Sequence, residues 1–231
     1  MTLRTNLLND KADNDALVVA SDVEGTLTAG TGWVGMRAYL EVNGDAGKFK
    51  QFLRQRMFKV IQYRLGLLRN AQLFKMQWLQ DLLCLFAGYP EAQMMEMGQF
   101  VMEHEIWPKR RQVVADELLA HKKNGRRVIL VTGVIEPILA NIAQKLEIEA
   151  IGTPLQYENG IFTGELALPF NTGESKVEQL QLITPNGNLL SAYGDTAADI
   201  PMLTMCQEAV AVHPDKALRK TAVVNNWRIL E

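Results

Sequence analysis

Two carboxylates that stand two residues apart, Asp22 and Glu24, follow an apolar run at 16–20. A glycine and two threonines follow within 25–28. The apolar run is typical of a buried parallel strand, and the glycine of the loop after it. Ligands of open α/β sheets bind beyond the carboxyl ends of strands, so we expect this pair at the mouth of a site. Because the two charges repel, the pair predicts a divalent cation or different protonation states.

Further polar residues that could bind a ligand lie at the ends of predicted strands or the starts of predicted helices later in the chain. Thr132 and Gly133 end a predicted strand, and a hydroxyl followed by a glycine N–H can bind a phosphoryl oxygen where a helix begins. Lys176 lies in a predicted helix. Asp195 follows another strand, with Asp199 one helical turn later. Several carboxylates at one mouth need a hard cation, and Mg²⁺ suits oxygen ligands and phosphate substrates.

The elements that must position these residues alternate between strand and helix. Residues 1–32 and 109–231 are predicted to form one discontinuous core of the α/β class, Rossmann-like and three-layered, with a parallel sheet. Asn159-Gly160 predicts a hairpin over 155–164, because both central residues of a type I′ turn need positive φ. After the first strand, further strands are predicted at 126–131, 189–193 and 208–212, and helices near 110–123, 137–146, 173–183 and 199–206.

Residues 33–108, which we call the helical insertion, differ from the rest of the chain. Apolar residues recur there at three- and four-residue steps, which predicts a small helical bundle over the mouth of the first strand. Within it, the basic stretch 48–75 holds eight basic residues and no acidic one. It has three open interpretations: a solvated helix face, recognition of an anionic part of a substrate, or contact with anionic lipid.

Composition narrows the class of protein. With 231 residues, 48% of them hydrophobic and 22% charged, the sequence predicts a soluble globular protein, either one large domain or a domain with an insertion. The two cysteines are far apart and lack metal-ligand spacing, so we expect a reducing compartment, the cytoplasm. A sequence pI near 6.0 and the lack of a recognised motif disfavour nucleic acid as the main partner.

Targeting signals are not expected either. Residues 1–15 are polar and lack an apolar core, which makes a secretory signal unexpected. The sequence has no run of about 18 apolar residues, so no transmembrane segment is predicted.

The ordered set of motifs resembles that of the haloacid dehalogenase superfamily. The set comprises residues 22–28, Thr132, Lys176 and residues 194–199. The helical insertion resembles a C1-type cap, and residues 211–229 are similar to the ending of the phosphoserine-phosphatase-like subgroup. This resemblance implies a Mg²⁺-dependent phosphomonoester hydrolase that acts on a small phosphorylated metabolite through an aspartyl-phosphate.

The resemblance also implies a role for each motif residue in that reaction. Asp199 would either hold a metal-bound water or orient Lys176. The implied roles are nucleophile for Asp22, acid and base for Glu24, charge screening for Lys176, phosphoryl binding for Thr132 and Gly133, and metal binding for Asp22, Glu24 through its main-chain carbonyl, Asp195 and Asp199.

One residue departs from the commonest family pattern. Most phosphatases of the superfamily carry Asp at the position of Glu24, although its enolase-phosphatases carry Glu. Two other functions stay open: a phosphotransferase or mutase, and, because of Glu24, a catalytically weak phosphate-binding protein. All three require Asp22 and Asp195 to lie on the same side of the sheet and within about ten ångströms of each other.

Overall fold

A computed structural model describes residues 17–67, 71–184 and 187–231, so the polar segment 1–15 lies outside the described residues. Within these ranges, no helix is both long and apolar enough to span a bilayer. The strands are β1 (Val18–Ser21), β2 (Arg127–Ile135), β3 (Glu149–Thr153), β4 (Leu155–Glu158), β5 (Ile161–Leu166), β6 (Leu189–Gly194), β7 (Glu208–Val212) and β8 (Arg228–Leu230). The helices are α1 (Gly32–Val42), α2 (Ala46–Arg64), α3 (Ala71–Leu83), α4 (Glu91–Val101), α5 (Gln112–Lys123), α6 (Glu136–Leu146), α7 (Glu174–Ile183), α8 (Ile200–Met205) and α9 (Lys216–Val224).

The main sheet is parallel and has the order β3-β2-β1-β6-β7-β8. The chain adds β2 and β3 on one side of β1 and later adds β6, β7 and β8 on the other. Ala20 of β1 pairs with Ile129 of β2 and with Ala192 of β6. The carboxyl ends of β1 and β6 therefore lie side by side where the strand order reverses, which is where open α/β sheets bind ligands.

Helices cover both faces of the sheet. Alternate residues of a strand point to opposite faces, so the sheet contributes to two separate apolar clusters. Val19 and Leu130 pack in the cluster that includes α5, α6 and the helical insertion. Ala20 and Ile129 pack in the opposite cluster, which includes α7, α8 and α9. The predicted three-layer α/β fold is thus confirmed.

The helical insertion consists of α1 to α4, with a 3₁₀ turn at Cys84–Phe86 and a π-helical turn at Met102–Ile106. Its interior is apolar, and Leu82 and Met97 are fully buried. The helical character follows from the apolar spacing, since residues three and four apart share a helix face. The exact limits 33–108 of this segment as a domain stay a prediction.

The predicted hairpin forms, and it makes hydrogen bonds to the helical insertion. β4 and β5 pair around Asn159 and Gly160, whose φ values are 50° and 78°. The N–H of Gly88 donates to the carbonyl of Phe162 at 2.9 Å, and that of Glu91 to Gly160 at 2.9 Å. The sequence groups this hairpin with the core, whereas its hydrogen bonds join it to the helical insertion.

The structure also corrects one strand end and adds elements. β2 continues to Ile135, and its pairing with β3 shifts register between Val131 and Ile135. Thr132 and Gly133 therefore lie within the strand, and α6 begins only at Glu136. β3, β8 and α9 were not predicted. The two strands are short, at five and three residues, which leaves little periodicity to detect.

A glycine on α4 sets how closely the helical insertion approaches the core. A Cβ on Gly98 would overlap the backbone carbonyl of Pro137 at the start of α6, whereas a Cβ on Gly47 of α2 would meet nothing. We predict that Gly98→Ala lowers the free energy of unfolding by about 1–3 kcal/mol through overpacking. Gly47→Ala, in the first turn of α2, should raise it by about 0.4–1 kcal/mol, because alanine restricts the unfolded chain more than glycine does. Urea denaturation measures both, and equal effects would contradict the close approach.

Candidate active site

A buried ion cluster occupies the carboxyl edge of the sheet. Nζ of Lys176 donates to Oδ1 of Asp22 at 2.8 Å and to Oδ1 of Asp199 at 2.6 Å, and all three side chains are buried. Asp22 directly follows β1, Lys176 lies in the first turn of α7, and Asp199 ends a 3₁₀ turn after β6. A buried charge requires a partner, so these contacts fix three separate segments against one another.

The carboxylate of Asp199 is saturated with donors. Its Oδ2 accepts hydrogen bonds from the main-chain N–H of Asp195 at 3.2 Å and from both the N–H and the hydroxyl of Thr196, each at 3.1 Å. Its Oδ1 accepts from Lys176. Of the two roles that the sequence left open for Asp199, this arrangement favours orienting Lys176.

Asp195 completes an acidic group of three. Asp22, Asp195 and Asp199 each offer a carboxylate oxygen within 4.8 Å of the others. Asp22 and Asp195 are therefore as close as the sequence requires. Because three carboxylates share one ammonium group, the cluster carries excess negative charge. Its all-oxygen donor set is the kind that Mg²⁺ prefers, so the residues fit a hard cation.

Gly25 and Thr26 of the first motif, for which the sequence predicts no role, hold Asp195 in position. The hydroxyl of Thr26 donates to Oδ1 of Asp195 at 3.2 Å. Gly25 has a φ of 88°, and a Cβ there would overlap the Asp195 carboxylate. A side chain at that position would therefore push Asp195 away, which explains the glycine. The contact joins residues that are far apart in sequence, so the motif alone could not predict it.

Burial and repulsion alter the protonation of the cluster. Burial raises the pKa of Asp195 to about 8, and the charges of Asp22 and Asp199 add to the shift. Burial also raises the pKa of Asp22, although Lys176 opposes this. For Lys176, burial disfavours the charge, but the two carboxylates outweigh it and raise its pKa. The ammonium therefore stays charged, and the acidic group takes up a proton when no cation balances it.

Glu24 lies beside the cluster and is tied to the helical insertion. Its Oε1 accepts the main-chain N–H of Gly32, the first residue of α1, at 2.5 Å. Burial raises the pKa of Glu24 to about 7, although the hydrogen bond from Gly32 opposes the shift. The first turn of a helix also favours a carboxylate through its dipole. A carboxyl with this pKa can both give and take a proton near neutral pH.

A cavity of about 210 Å³ lies over the cluster. The structure brings every predicted site residue to its wall. Thr132 also forms a side-chain hydrogen bond with Asp22. The predicted residues that line it are Asp22, Glu24, Thr132, Gly133, Lys176, Asp195 and Asp199.

Lys75 and Phe170 are among the residues of this cavity that sequence reasoning missed. Lys75 belongs to the basic stretch, so the charge pattern indicated that it could bind an anion but not that its side chain faces this cavity. Phe170 lies between β5 and α7 and gave no signal, because its place in the wall depends on how that loop folds back.

The basic stretch has no single environment. Lys48 pairs with Asp45 at 2.9 Å, and Arg56 pairs with Asp81 at 2.6 Å. Lys75 faces the cavity instead. Two of these three cations therefore form surface ion pairs, and the third lies at the candidate site. Exposed ion pairs of this kind contribute little to stability.

Comparison with known proteins places this site in a family. A sequence model of the family described as haloacid dehalogenase-like hydrolase matches residues 19–204, which confirms the resemblance of the motifs. A probable phosphatase of Mycobacterium tuberculosis is 34% identical over 149 residues, covering 62% of this chain and 52% of that protein. A phosphoserine phosphatase of the same organism is 30% identical over 156 residues, covering 64% and 49%. The chain thus spans about half the length of these relatives.

Solved structures support the same fold. A protein of unknown function from Bordetella pertussis Tohama I superposes with a TM-score of 0.76 at 22% identity, covering 93% of this chain and 97% of that one. At this identity the likeness concerns the fold alone. It extends over nearly the whole chain, so the helical insertion and the core are both represented in the solved structure.

The excess negative charge of the cluster predicts a stability effect that depends on pH. The pKa of Asp195 is about 8 in the fold against 3.8 when exposed, so without a cation its burial lowers stability increasingly as pH rises from about 4 to 8. In EDTA at pH 8, Asp195→Asn should therefore raise Tm by about 2–4 °C, the shift produced by 1 kcal/mol in a domain of this size. At pH 5 the gain should be smaller.

Thermal unfolding of the wild type and the variant at both pH values measures this effect. Asp116→Asn, which removes an exposed carboxylate on α5, is the matched control and should change Tm little at either pH. A loss of stability in Asp195→Asn at pH 8 would show that repulsion within the cluster does not dominate.

Proposed function

This chain belongs to the haloacid dehalogenase-like hydrolase family, and we propose that it is a Mg²⁺-dependent phosphatase of the cytoplasm. In this proposal it hydrolyses a small phosphorylated metabolite through an aspartyl-phosphate intermediate. One observation carries the proposal: the ammonium of Lys176 binds Asp22 at 2.8 Å while Asp195 stands beside the same carboxylate. A carboxylate placed beside fixed positive charge at the mouth of a sheet can attack a phosphate dianion.

The metal in this proposal would be held by Asp22, the main-chain carbonyl of Glu24, and Asp195. When bound, Mg²⁺ supplies positive charge that balances both the acidic group and the phosphate. The excess negative charge of the three carboxylates and the raised pKa of Asp195 support this assignment. Asp199 already accepts four hydrogen bonds, which supports its role as the residue that orients Lys176.

The first chemical step uses the cluster as it stands. A carboxylate oxygen of Asp22 forms a bond to phosphorus, and the bond between phosphorus and the leaving oxygen breaks. Glu24 gives its proton to that oxygen, so the product leaves as a neutral alcohol. Lys176 favours the ionised form of Asp22 and offsets the charge of the phosphoryl group. The hydroxyl of Thr132 and the N–H of Gly133 bind the oxygens of that group.

The second step returns the protein to its starting state. Glu24, now ionised, takes a proton from water, and the water oxygen bonds to phosphorus as the bond to Asp22 breaks. Phosphate then leaves, and Glu24 carries a proton again. A pKa of about 7 suits both halves of this cycle, because the side chain must be protonated in one step and ionised in the other. The bond from Gly32 holds the longer glutamate side chain in place at the cavity wall.

The proposed nucleophile and metal give a direct prediction. With Mg²⁺ the protein should release phosphate from members of a phosphomonoester panel, and EDTA should abolish the release. Asp22→Asn should lower kcat/KM by at least about 1,000-fold. After an acid quench during turnover, the wild type should retain phosphate that hydroxylamine removes, and Asp22→Asn should retain none.

The panel also separates the alternatives. Turnover without covalent phosphate in the quenched wild type would contradict the aspartyl intermediate. If added alcohols divert phosphate from release, the protein is a phosphotransferase. If no ester is hydrolysed while phosphate esters still raise Tm, it is a binding protein.

Glu24 gives a second prediction. Glu24→Gln should lower kcat/KM about 100-fold or more for an alkyl phosphate, whose leaving group needs a proton. For an activated aryl phosphate, which leaves without one, the loss should be below about tenfold. Glu103→Gln, which changes an exposed carboxylate of the insertion, should leave both rates unaltered. Equal losses on the two esters, or none on either, would rule out the acid role.

A further inference from the structure

A second cavity, of about 340 Å³, adjoins the catalytic one. Glu24, Lys75 and Leu79 line both, so a molecule with its phosphoryl group over Asp22 can extend directly into this space. We call it the aromatic cavity. Four rings from three helices of the insertion form most of its wall: Trp33 of α1, Tyr63 of α2, and Phe74 and Trp78 of α3.

These rings pack on one another as a preformed surface. Tyr63 stacks on Phe74 with centroids 5.0 Å apart, and Trp33 meets Trp78 edge to face at 6.4 Å. Phe52, which is buried, supports Trp78 from behind at 4.7 Å. Rings held in this way offer a large apolar area at little cost in side-chain entropy.

The volume is sufficient for a bulky group. An engineered apolar cavity of about 150 Å³ binds benzene, so about 340 Å³ accommodates an aromatic ring with its linker. The wall also contains aliphatic Val60 and Leu79 and the hydroxyl residue Thr31.

Charge in the aromatic cavity is sparse. Of its lining residues among those that the structure describes, Glu24 and Lys75 are the charged ones. Glu24 already accepts the N–H of Gly32 and serves as the proposed proton donor. An amino acid leaving group would bring an ammonium and a carboxylate against the rings. Lys75 can pair with that carboxylate, but among the described lining residues Glu24 is the sole acidic group, and burying an ammonium without a partner is costly.

We infer that the aromatic cavity binds the leaving group of the substrate, and that this group is a bulky aromatic or apolar alcohol rather than an amino acid such as serine. The inference rests on the proposed phosphatase function and specifies its substrate class. α1 connects recognition to chemistry: its first residue, Gly32, holds Glu24, and its second, Trp33, lines the aromatic cavity. A ring bound there lies next to the group that protonates its oxygen.

Three phosphate esters of primary alcohols test this inference. Ethyl phosphate lacks a ring, 2-phenylethyl phosphate carries one, and O-phospho-L-serine carries the charged groups. We expect kcat/KM for 2-phenylethyl phosphate to exceed that for ethyl phosphate at least about tenfold, because the ring buries apolar area. O-phospho-L-serine should be a poorer substrate than 2-phenylethyl phosphate by a similar factor. Phosphate release with Mg²⁺ gives these values.

Variants of the cavity wall test where the selectivity arises. Val60→Trp fills the aromatic cavity and should reduce the ratio of the phenylethyl to the ethyl value to about one. Met57→Trp, exposed on the same helix and outside that wall, is the matched control and should keep the wild-type ratio. If Val60→Trp does not fold, Tyr63→Ala removes one ring of the wall and should lower the same ratio.

Binding separates this inference from the proposed function. Dissociation constants of ethyl and 2-phenylethyl phosphate for Asp22→Asn, measured by calorimetry, should favour the ring by about tenfold. Turnover with a ratio below about three, or with O-phospho-L-serine preferred, would overturn the inference and leave the phosphatase function standing. Ring-dependent binding without phosphate release by the wild type would instead overturn the function and keep the selectivity.

Discussion

A buried ammonium group that must be paired on two sides is the constraint on which the site depends. Lys176 binds Asp22 and Asp199, which lie 154 and 23 residues away in the sequence. The strand order places the ends of β1 and β6 together, α7 delivers the lysine between them, and the 3₁₀ turn holds Asp199 in position. Removing Lys176 would leave the buried carboxylates uncompensated, at a cost of about 3–5 kcal/mol. The same contacts that stabilise this edge of the fold therefore fix the candidate nucleophile.

The excess of negative charge gives the site its chemistry. An ion pair that served stability alone would match one ammonium with one carboxylate. Here Lys176 binds Asp22 and Asp199, and a third carboxylate, Asp195, lies beside them. Gly25 and Thr26 keep Asp195 in place despite the repulsion. The arrangement stores unfavourable electrostatic energy that a bound cation would relieve. Glu24, with a pKa of about 7, lies outside the ion pair and stays free to exchange a proton.

The sequence predicts the parts that depend on local pattern. The central strands are apolar runs, and the seven site residues lie close to strand ends or helix starts, so the α/β fold and the shared cavity could both be anticipated. Features that depend on distant contacts could not. The docking of the hairpin, the contact between Gly25 and Asp195, and the orientation of Lys75 each join segments that are far apart in the chain. Asp199 illustrates the limit: its residue type allowed two roles, and only its four hydrogen bonds favour one.

The docked hairpin has a mechanical consequence for how the protein exchanges ligands. The chain passes between core and insertion twice, before α1 and before α5. The hydrogen bonds of Gly88 and Glu91 to the hairpin form a third connection. Gly98 of α4 also packs closely against the backbone of Pro137, so several contacts hold the insertion against the core. Rigid-body rotation of the insertion about its two connections to the core would break all of these contacts together, so ligand exchange by that motion is costly.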